Sequence, residues 1–364
     1  MYPIYTNYYY GRGLDQYDRH MAYVEKSTRF WNPWQYRVLA PAIVEAGYLI
    51  YNSTIHRIFD IESYLNSKMG YSDSTQENKA KIQGHIAKNG FVRYNIVFIL
   101  FRFALNFLIY ALLFLQLRTI GVSTLLSSFG VVLSSLLIGN AVNDSDLSFN
   151  TYLDVIFYQS AMLVMSANRN QWLIVPITII GALNRETSML IPFAYFVANC
   201  NLDGSIKKKF NIRDFVRSAM PDSKTLLITA ISTIFFLLIF FGIRYSVGYR
   251  DYVGWRVPSG FPMLNFNFFS KTSIKTYCEI FAVTTLLPLF GFLYFNKLPK
   301  LYSYLMITLV PIWFLVHATM VVIYESRIFL VPTIVVLLPA TIVLIQKSLH
   351  EDSRESELQA SQDT

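Results

Sequence analysis

Apolar residues in this chain gather into runs long enough to cross a bilayer, which takes about 20 residues of helix. Polar breaks separate them. Residues 1–94 hold no such run; within them 38–51 is a short amphipathic stretch interrupted by Pro41, suited to the membrane surface. The runs that read as spans are 95–117, 120–138, a weaker 152–165, 226–243, 277–295, 302–324 and 328–345. Between them, 171–200 is apolar except for Asn184, Arg185, Glu186 and Thr187 at its centre. Each arm of that stretch is about 13 residues, or roughly 20 Å of helix, too short to cross. It therefore predicts a hairpin whose turn sits within the outer half of the bilayer. The polar tail from His350 to Thr364 predicts disorder. The fold class is all-α, a polytopic transmembrane bundle: a first segment of surface helices (1–94), a helical membrane domain (95–347) and a tail (348–364).

Composition agrees: 54% of the 364 residues are apolar and 15% charged, with 25 Tyr and 29 Phe to populate the interfaces. The net charge of +8 does not point to nucleic acid, because Lys and Arg fall in short breaks rather than in a separate basic domain. Those breaks orient the chain. The segment 207–224 holds six Lys/Arg, and Lys297, Lys300 and Lys347 mark further cytoplasmic positions. The C-terminus is then cytoplasmic, while 1–94, Asp144/Asp146 and Glu325–Arg327 face outward. An outward segment of about ninety residues needs a preceding span or unaided export; a first transmembrane helix upstream of Met1 is the expectation. The natural setting is a bacterial inner membrane. Cys200 and Cys278 read as structural thiols.

Charges inside spans are costly and commonly mark sites. Arg185 and Glu186 are the leading candidates. Arg102 and Asp154, on different spans, are expected to pair with each other, and His317 reads as a packing histidine. Glu325 and Arg327 form either a rim ion pair or a lipid-phosphate contact. Trp31, Trp34 and Trp255 read as interface anchors.

Three stretches taken together carry a resemblance. They are Asp15-Gln16-Tyr17-Asp18 followed by Trp31-Asn32-Pro33-Trp34-Gln35-Tyr36-Arg37-Val38-Leu39-Ala40-Pro41; Gly181-Ala182-Leu183-Asn184-Arg185-Glu186-Thr187; and Tyr324-Glu325-Ser326-Arg327-Ile328-Phe329. The combination resembles bacterial polytopic proteins of the GT-C glycosyltransferase superfamily, akin to the dolichyl-phosphate-mannose mannosyltransferases. The resemblance implies a large first extracytoplasmic loop with surface helices after a first span, and a catalytic carboxylate early in that loop, matched here by Asp15 or Asp18. It also implies a sugar donor linked through phosphate to a polyprenyl chain, and a glycan, lipid or protein acceptor. Asp144 and Asp146 stand where some relatives carry further acidic residues, and would be the ligands if a divalent ion, Mg or Mn, takes part.

The chemistry that follows is sugar transfer on the extracytoplasmic side, in envelope glycan or polysaccharide assembly. A carboxylate deprotonates the acceptor hydroxyl, and arginines stabilise the departing lipid phosphate. Arg37, Arg185 and Arg327 share that second task, with Asn184, Glu186 and Glu325 around them. Competing readings are a flippase or other transporter, which shares the interrupted apolar helix, and a non-catalytic subunit of an envelope-polysaccharide system.

Overall fold

The computed structural model describes residues 4, 12–25, 34–58, 60, 63, 90–141, 148–167, 170–201, 220–248 and 257–362, with side chains from 16 onward in the first helix and as far as 351 in the last. Among the described residues every regular element is helical. Asp144 and Asp146, Trp31 and Trp255 lie outside them, as does the side chain of Asp15.

Two helices precede the bundle, α1 (Arg12–Val24) and α2 (Leu39–Ser53). Pro41 does not break α2, because it lies in the first turn, where its missing N–H has no partner to lose. The bundle then runs through α3 (Phe91–Thr119), α4 (Thr124–Asn140) and α5 (Phe149–Ser166). The apolar stretch with the polar centre folds as two short helices, α6 (Ile174–Ala182) and α7 (Leu190–Ala198). After these come α8 (Ser223–Val247), α9 (Phe261–Phe269), α10 (Ser273–Thr284) and α11 (Leu287–Leu293). The last two spans are α12 (Lys300–Met320) and α13 (Ser326–Glu351). Four helices, α3, α8, α12 and α13, are long and apolar enough to cross a membrane. The pair α10 and α11 makes a fifth if counted as one span bent by 69°. The bend follows from Thr285, which takes a positive φ of 50° and ends α10 ahead of Pro288.

The helices divide by what they meet. In its most apolar window α8 is only 17% buried, so most of its surface is free for lipid, whereas α13 is 94% buried and lies inside the bundle. A π-turn at Thr333–Leu337 interrupts α13. The Val335 carbonyl there accepts a hydrogen bond from Gln116 Nε2 at 3.0 Å, and the same nitrogen donates to the Tyr302 hydroxyl at 3.0 Å. A polar side chain in α3 thus meets the backbone oxygen of a π-turn, in an interior where an unpaired carbonyl is costly. Helix α5 is short but central: Asn150, Asp154 and Gln159 are buried along it. The last helix is continuous to Gln362, so the tail is helical where its polarity predicts disorder.

Contacts between turns fix two ends. At one, Gln346 bonds to Ser123 and Gly121, Lys347 to the Lys297 carbonyl, and Lys300 to Asn201. The basic positions Lys297, Lys300 and Lys347 therefore gather together. At the other, the first N–H of α2, from Leu39, bonds to the Leu183 carbonyl in the α6–α7 turn at 3.1 Å, and the Tyr36 hydroxyl donates to the Gly248 carbonyl at 3.2 Å. Segment 34–53 is thereby tied to the end where α6, α7 and α8 turn.

The α6–α7 pair is close because residue 181 is glycine. A methyl group there would lie 2.8 Å from Ser188 Oγ and 3.0 Å from its Cβ. Gly181→Ala should therefore destabilise the protein by about 1–3 kcal/mol, as overpacking does. Adding Ser188→Gly should restore most of the loss. Thermal unfolding of the detergent-solubilised variants checks this, and a single mutant as stable as the parent would refute the tight approach.

Candidate functional site

The site begins with a carboxylate that has no solvent. Asp154, in the middle of α5, is fully buried. Its Oδ1 accepts from Asn184 Nδ2 at 2.8 Å, and its Oδ2 from Arg185 Nη1 at 2.9 Å and Thr187 Oγ1 at 3.3 Å. Asn184, also fully buried, exchanges further bonds with Asn150, one turn back on α5. The α6–α7 turn is therefore pinned to α5 by its own polar residues, and Arg185 leaves the helix in extended backbone to reach its partner. Arg102 does not pair with Asp154, as the sequence suggests. Arg102 is fully buried, donates to Gln16 Oε1 on α1 and lies over the Phe149 and Tyr152 rings at 5.0 and 5.9 Å. The helical pattern identifies charged positions on two apolar helices but not which neighbour each one faces.

Next to this pin, Glu186 is shared. Its Oε2 accepts from Arg37 Nη2 at 3.2 Å and its Oε1 from Arg244 Nη2 at 3.3 Å. Arg37 comes from the turn before α2, and Arg244 from the end of α8. Burial pulls the Arg37 guanidinium down to about 10, with Glu186 opposing that fall, so Arg37 stays charged at neutral pH. Each of Arg37 and Arg185 retains a buried Nε–H that meets no acceptor among the described residues. Arg327 pairs with Glu325 at 2.7 Å.

Trp34 joins these groups. The guanidinium carbons of Arg37, Arg19 and Arg327 stand 4.8, 5.3 and 5.8 Å from its ring centroid, inside cation–π range. Arg244 lies over Tyr36 at 4.5 Å. Arginines from α1, the turn before α2, α8 and the start of α13 thus converge around one short segment. Beside it opens a cavity. Arg19, His20, Trp34, Arg37, Val44, Phe98 and Phe149 are among the residues that line it.

Of the sequence candidates, the structure brings together Arg37, Asn184, Arg185 and Glu186, with Glu325 and Arg327 reaching the same group through Trp34. Asp18 is exposed, and α1 turns Gln16, Arg19, His20 and Tyr23 to the cavity instead. Those four positions recur at helical spacing, which leaves Asp18 on the opposite face. Three contributors are missed by sequence reading. Arg244 follows directly on an apolar run, where an arginine does not stand out, Asp154 is given the wrong partner, and Trp34 is taken for an anchor. Among the described residues no group of three His, Cys, Asp or Glu could hold a metal ion. No protein-family model matches the chain, nor does any curated protein or solved structure.

Helix α1 is held by a titratable contact. His20 Nε2 lies 2.7 Å from Glu45 Oε1, which also accepts from the Tyr94 hydroxyl at 3.0 Å. Burial lowers the His20 pKa, and Glu45 only partly offsets that. An undocked α1 binds the extra proton more readily, so docking strengthens as pH rises from the lowered value to about 6.5 and then levels off. Hydrogen exchange of 12–24, corrected for intrinsic rates, should be faster at pH 5 than at pH 7.5, and His20→Gln should abolish the difference. Equal protection at both pH values in the parent would refute this.

Asp154→Ala leaves Arg185 and Asn184 buried without their acceptor and should cost about 3–5 kcal/mol. Glu186→Ala, at a side chain 31% exposed, should cost clearly less. Equal losses in thermal unfolding would contradict this ranking.

Proposed function

We propose that the protein is a membrane glycosyltransferase, moving a sugar from a polyprenyl-phosphate donor to a glycan, lipid or protein acceptor on the extracytoplasmic face of a bacterial inner membrane. In this reading the C-terminus is cytoplasmic and the product serves envelope glycan or polysaccharide assembly. The observation that carries it is the arginine group. Arg37 and Arg244 share a single carboxylate, and Arg37 and Arg185 keep buried N–H groups with no acceptor. Buried donors of that kind are costly unless an anion completes them.

A phosphodiester suits the arrangement. Its charge grows as the sugar leaves, and guanidinium forks fixed by Asp154 and Glu186 need not reorganise to meet it. The cavity lining combines the arginines Arg19 and Arg37 with apolar Val44, Phe98 and Phe149, groups that suit the charged and the apolar parts of such a donor. The exposed apolar surface of α8 would face the lipid in which a polyprenyl tail lies. The resemblance to GT-C proteins points the same way. A transporter would use the same cations without breaking a bond.

The protein in nanodiscs, given polyprenyl-phosphate sugar and candidate acceptors, should release polyprenyl phosphate. Arg244→Gln, at a partly exposed arginine, should weaken donor use about tenfold, an order of magnitude typical for a lost charged hydrogen bond. Movement of labelled donor across proteoliposomes with no polyprenyl phosphate released would overturn the enzyme reading in favour of transport.

A further inference from the structure

We propose that His20, oriented by Glu45, is the proton acceptor of this site, its Nδ1 taking the hydrogen of the attacking hydroxyl; this rests on the sugar-transfer reading above. Asp18, an aspartate expected in that role, is on the exposed face of α1, whereas His20 lines the cavity together with Arg19 and Arg37. His20 Nε2 is 2.7 Å from Glu45 Oε1, on α2. A carboxylate oxygen accepts, so in the neutral ring Nε2 carries the hydrogen and Nδ1 holds the lone pair. Tyr94 donates to the same oxygen at 3.0 Å and so steadies the carboxylate that steadies the ring. A base oriented by a second group in this way is the recurring arrangement for taking a proton from a hydroxyl.

The packing also directs Nδ1. The two nitrogens of an imidazole point away from each other, so Nδ1 is turned from Glu45. The Tyr94 and Phe98 rings pack on His20 with centroids 5.2 and 5.6 Å away. Nδ1 meets no hydrogen-bond partner among the described residues, yet it is not sealed from solvent. The side chain is only 6% exposed, and the opening left to it is the cavity that it lines. Two other buried side chains of that lining are anchored at one end and open at the other. Gln16 accepts from Arg102 at Oε1, and its Nε2 has no partner among the described residues; Asn150 donates to Asn184 from Nδ2, and its Oδ1 has none. A hydroxyl in the cavity thus meets a donor and an acceptor besides the base. The titratable and charged groups around the ring are Glu45 of α2, Tyr94 with Tyr48 stacked on it, Arg102 of α3, Arg19 and Tyr23 of its own helix, and Arg37 of the same lining. Ser148, Phe149 and Asn150 bring no charge. Burial lowers the His20 pKa, which keeps the ring neutral and able to accept at neutral pH, and Glu45 stabilises the imidazolium once it forms.

In the transfer step the acceptor O–H bond breaks and its proton goes to Nδ1 as oxygen bonds to the anomeric carbon. The anomeric C–O bond to phosphate breaks, and its electron pair leaves with the polyprenyl phosphate. That monoester carries one more negative charge than the diester it came from. It takes the proton from Nδ1, which restores the neutral ring.

His20→Gln tests this, because the Gln amide can still donate to Glu45 but puts no base in the cavity. Hydrogen exchange of 12–24 at pH 7.5 and donor affinity should match the parent. Turnover should fall about 100-fold or more, and what remains should lack the acid limb of the pH profile. Turnover within a few-fold of the parent, with the same limb, would overturn the proposal. Glu45→Gln keeps an acceptor for His20 and Tyr94 but removes the charge that favours the imidazolium. Its acid limb should move to lower pH and its turnover should drop; a limb left in place would equally overturn the assignment. This second variant decides if His20→Gln leaves α1 unprotected. If the parent itself releases no polyprenyl phosphate, the transfer reading fails and this one with it. A parent that releases it while both variants match its rate and profile removes the role of His20 alone.

Discussion

A carboxylate at the centre of an apolar bundle has to be matched, and the match for Asp154 organises this protein. An isolated ionised group there would cost several kcal/mol even after relaxation. Asp154 instead receives three donors, all from the α6–α7 turn: Asn184, Arg185 and Thr187. The pairing explains why a polar quartet interrupts an otherwise apolar stretch. It also explains why the two short helices stop where they do, since Arg185 must leave helical geometry to reach α5.

Once that turn is fixed, the rest of the site follows by adjacency. Glu186 is presented to Arg37 on one side and Arg244 on the other, and the Leu183 carbonyl is left for the first N–H of α2. Segments distant in sequence are thereby held at one end of the bundle, with Trp34 packed among their arginines. The surplus of cation over carboxylate around Glu186, with the unpartnered Nε–H groups of Arg37 and Arg185, makes the end suited to an anion. That suitability is what the proposed lipid-phosphate chemistry draws on.

The sequence makes the helical class and the long apolar helices α3, α8, α12 and α13 readable because lipid imposes a length and a composition that local pattern records directly, whereas the runs 120–138 and 152–165, also read as spans, fold as α4 and α5, which are not among the helices long and apolar enough to cross. Asn184 to Thr187 stands out for the same reason: polar residues are conspicuous in an apolar run. Pairing is not readable that way. Arg102 and Asp154 each look like the other's partner, yet Arg102 meets Gln16 of α1 while Asp154 meets Arg185, because rotation about each helix axis decides which face is shared. Arg244 hides at a span end, where an arginine is ordinary. The bend at Thr285 and the helical tail to Gln362 depend on packing and backbone detail that hydrophobic periodicity does not carry. Asp18 illustrates a related limit: an aspartate early in the first segment fits the expected motif, but its place roughly half a turn round the helix from Gln16, Arg19, His20 and Tyr23 puts it on the exposed face.

The most direct test of the central claim is an experimental structure of the protein in lipid with a bound polyprenyl phosphate. The account requires phosphate density within hydrogen-bonding distance of Arg37 and Arg185, beside Trp34, with the prenyl chain running out into the membrane. Phosphate bound at the Lys297–Lys347 end, or ordered density only on the lipid-facing surface of α8, would contradict it.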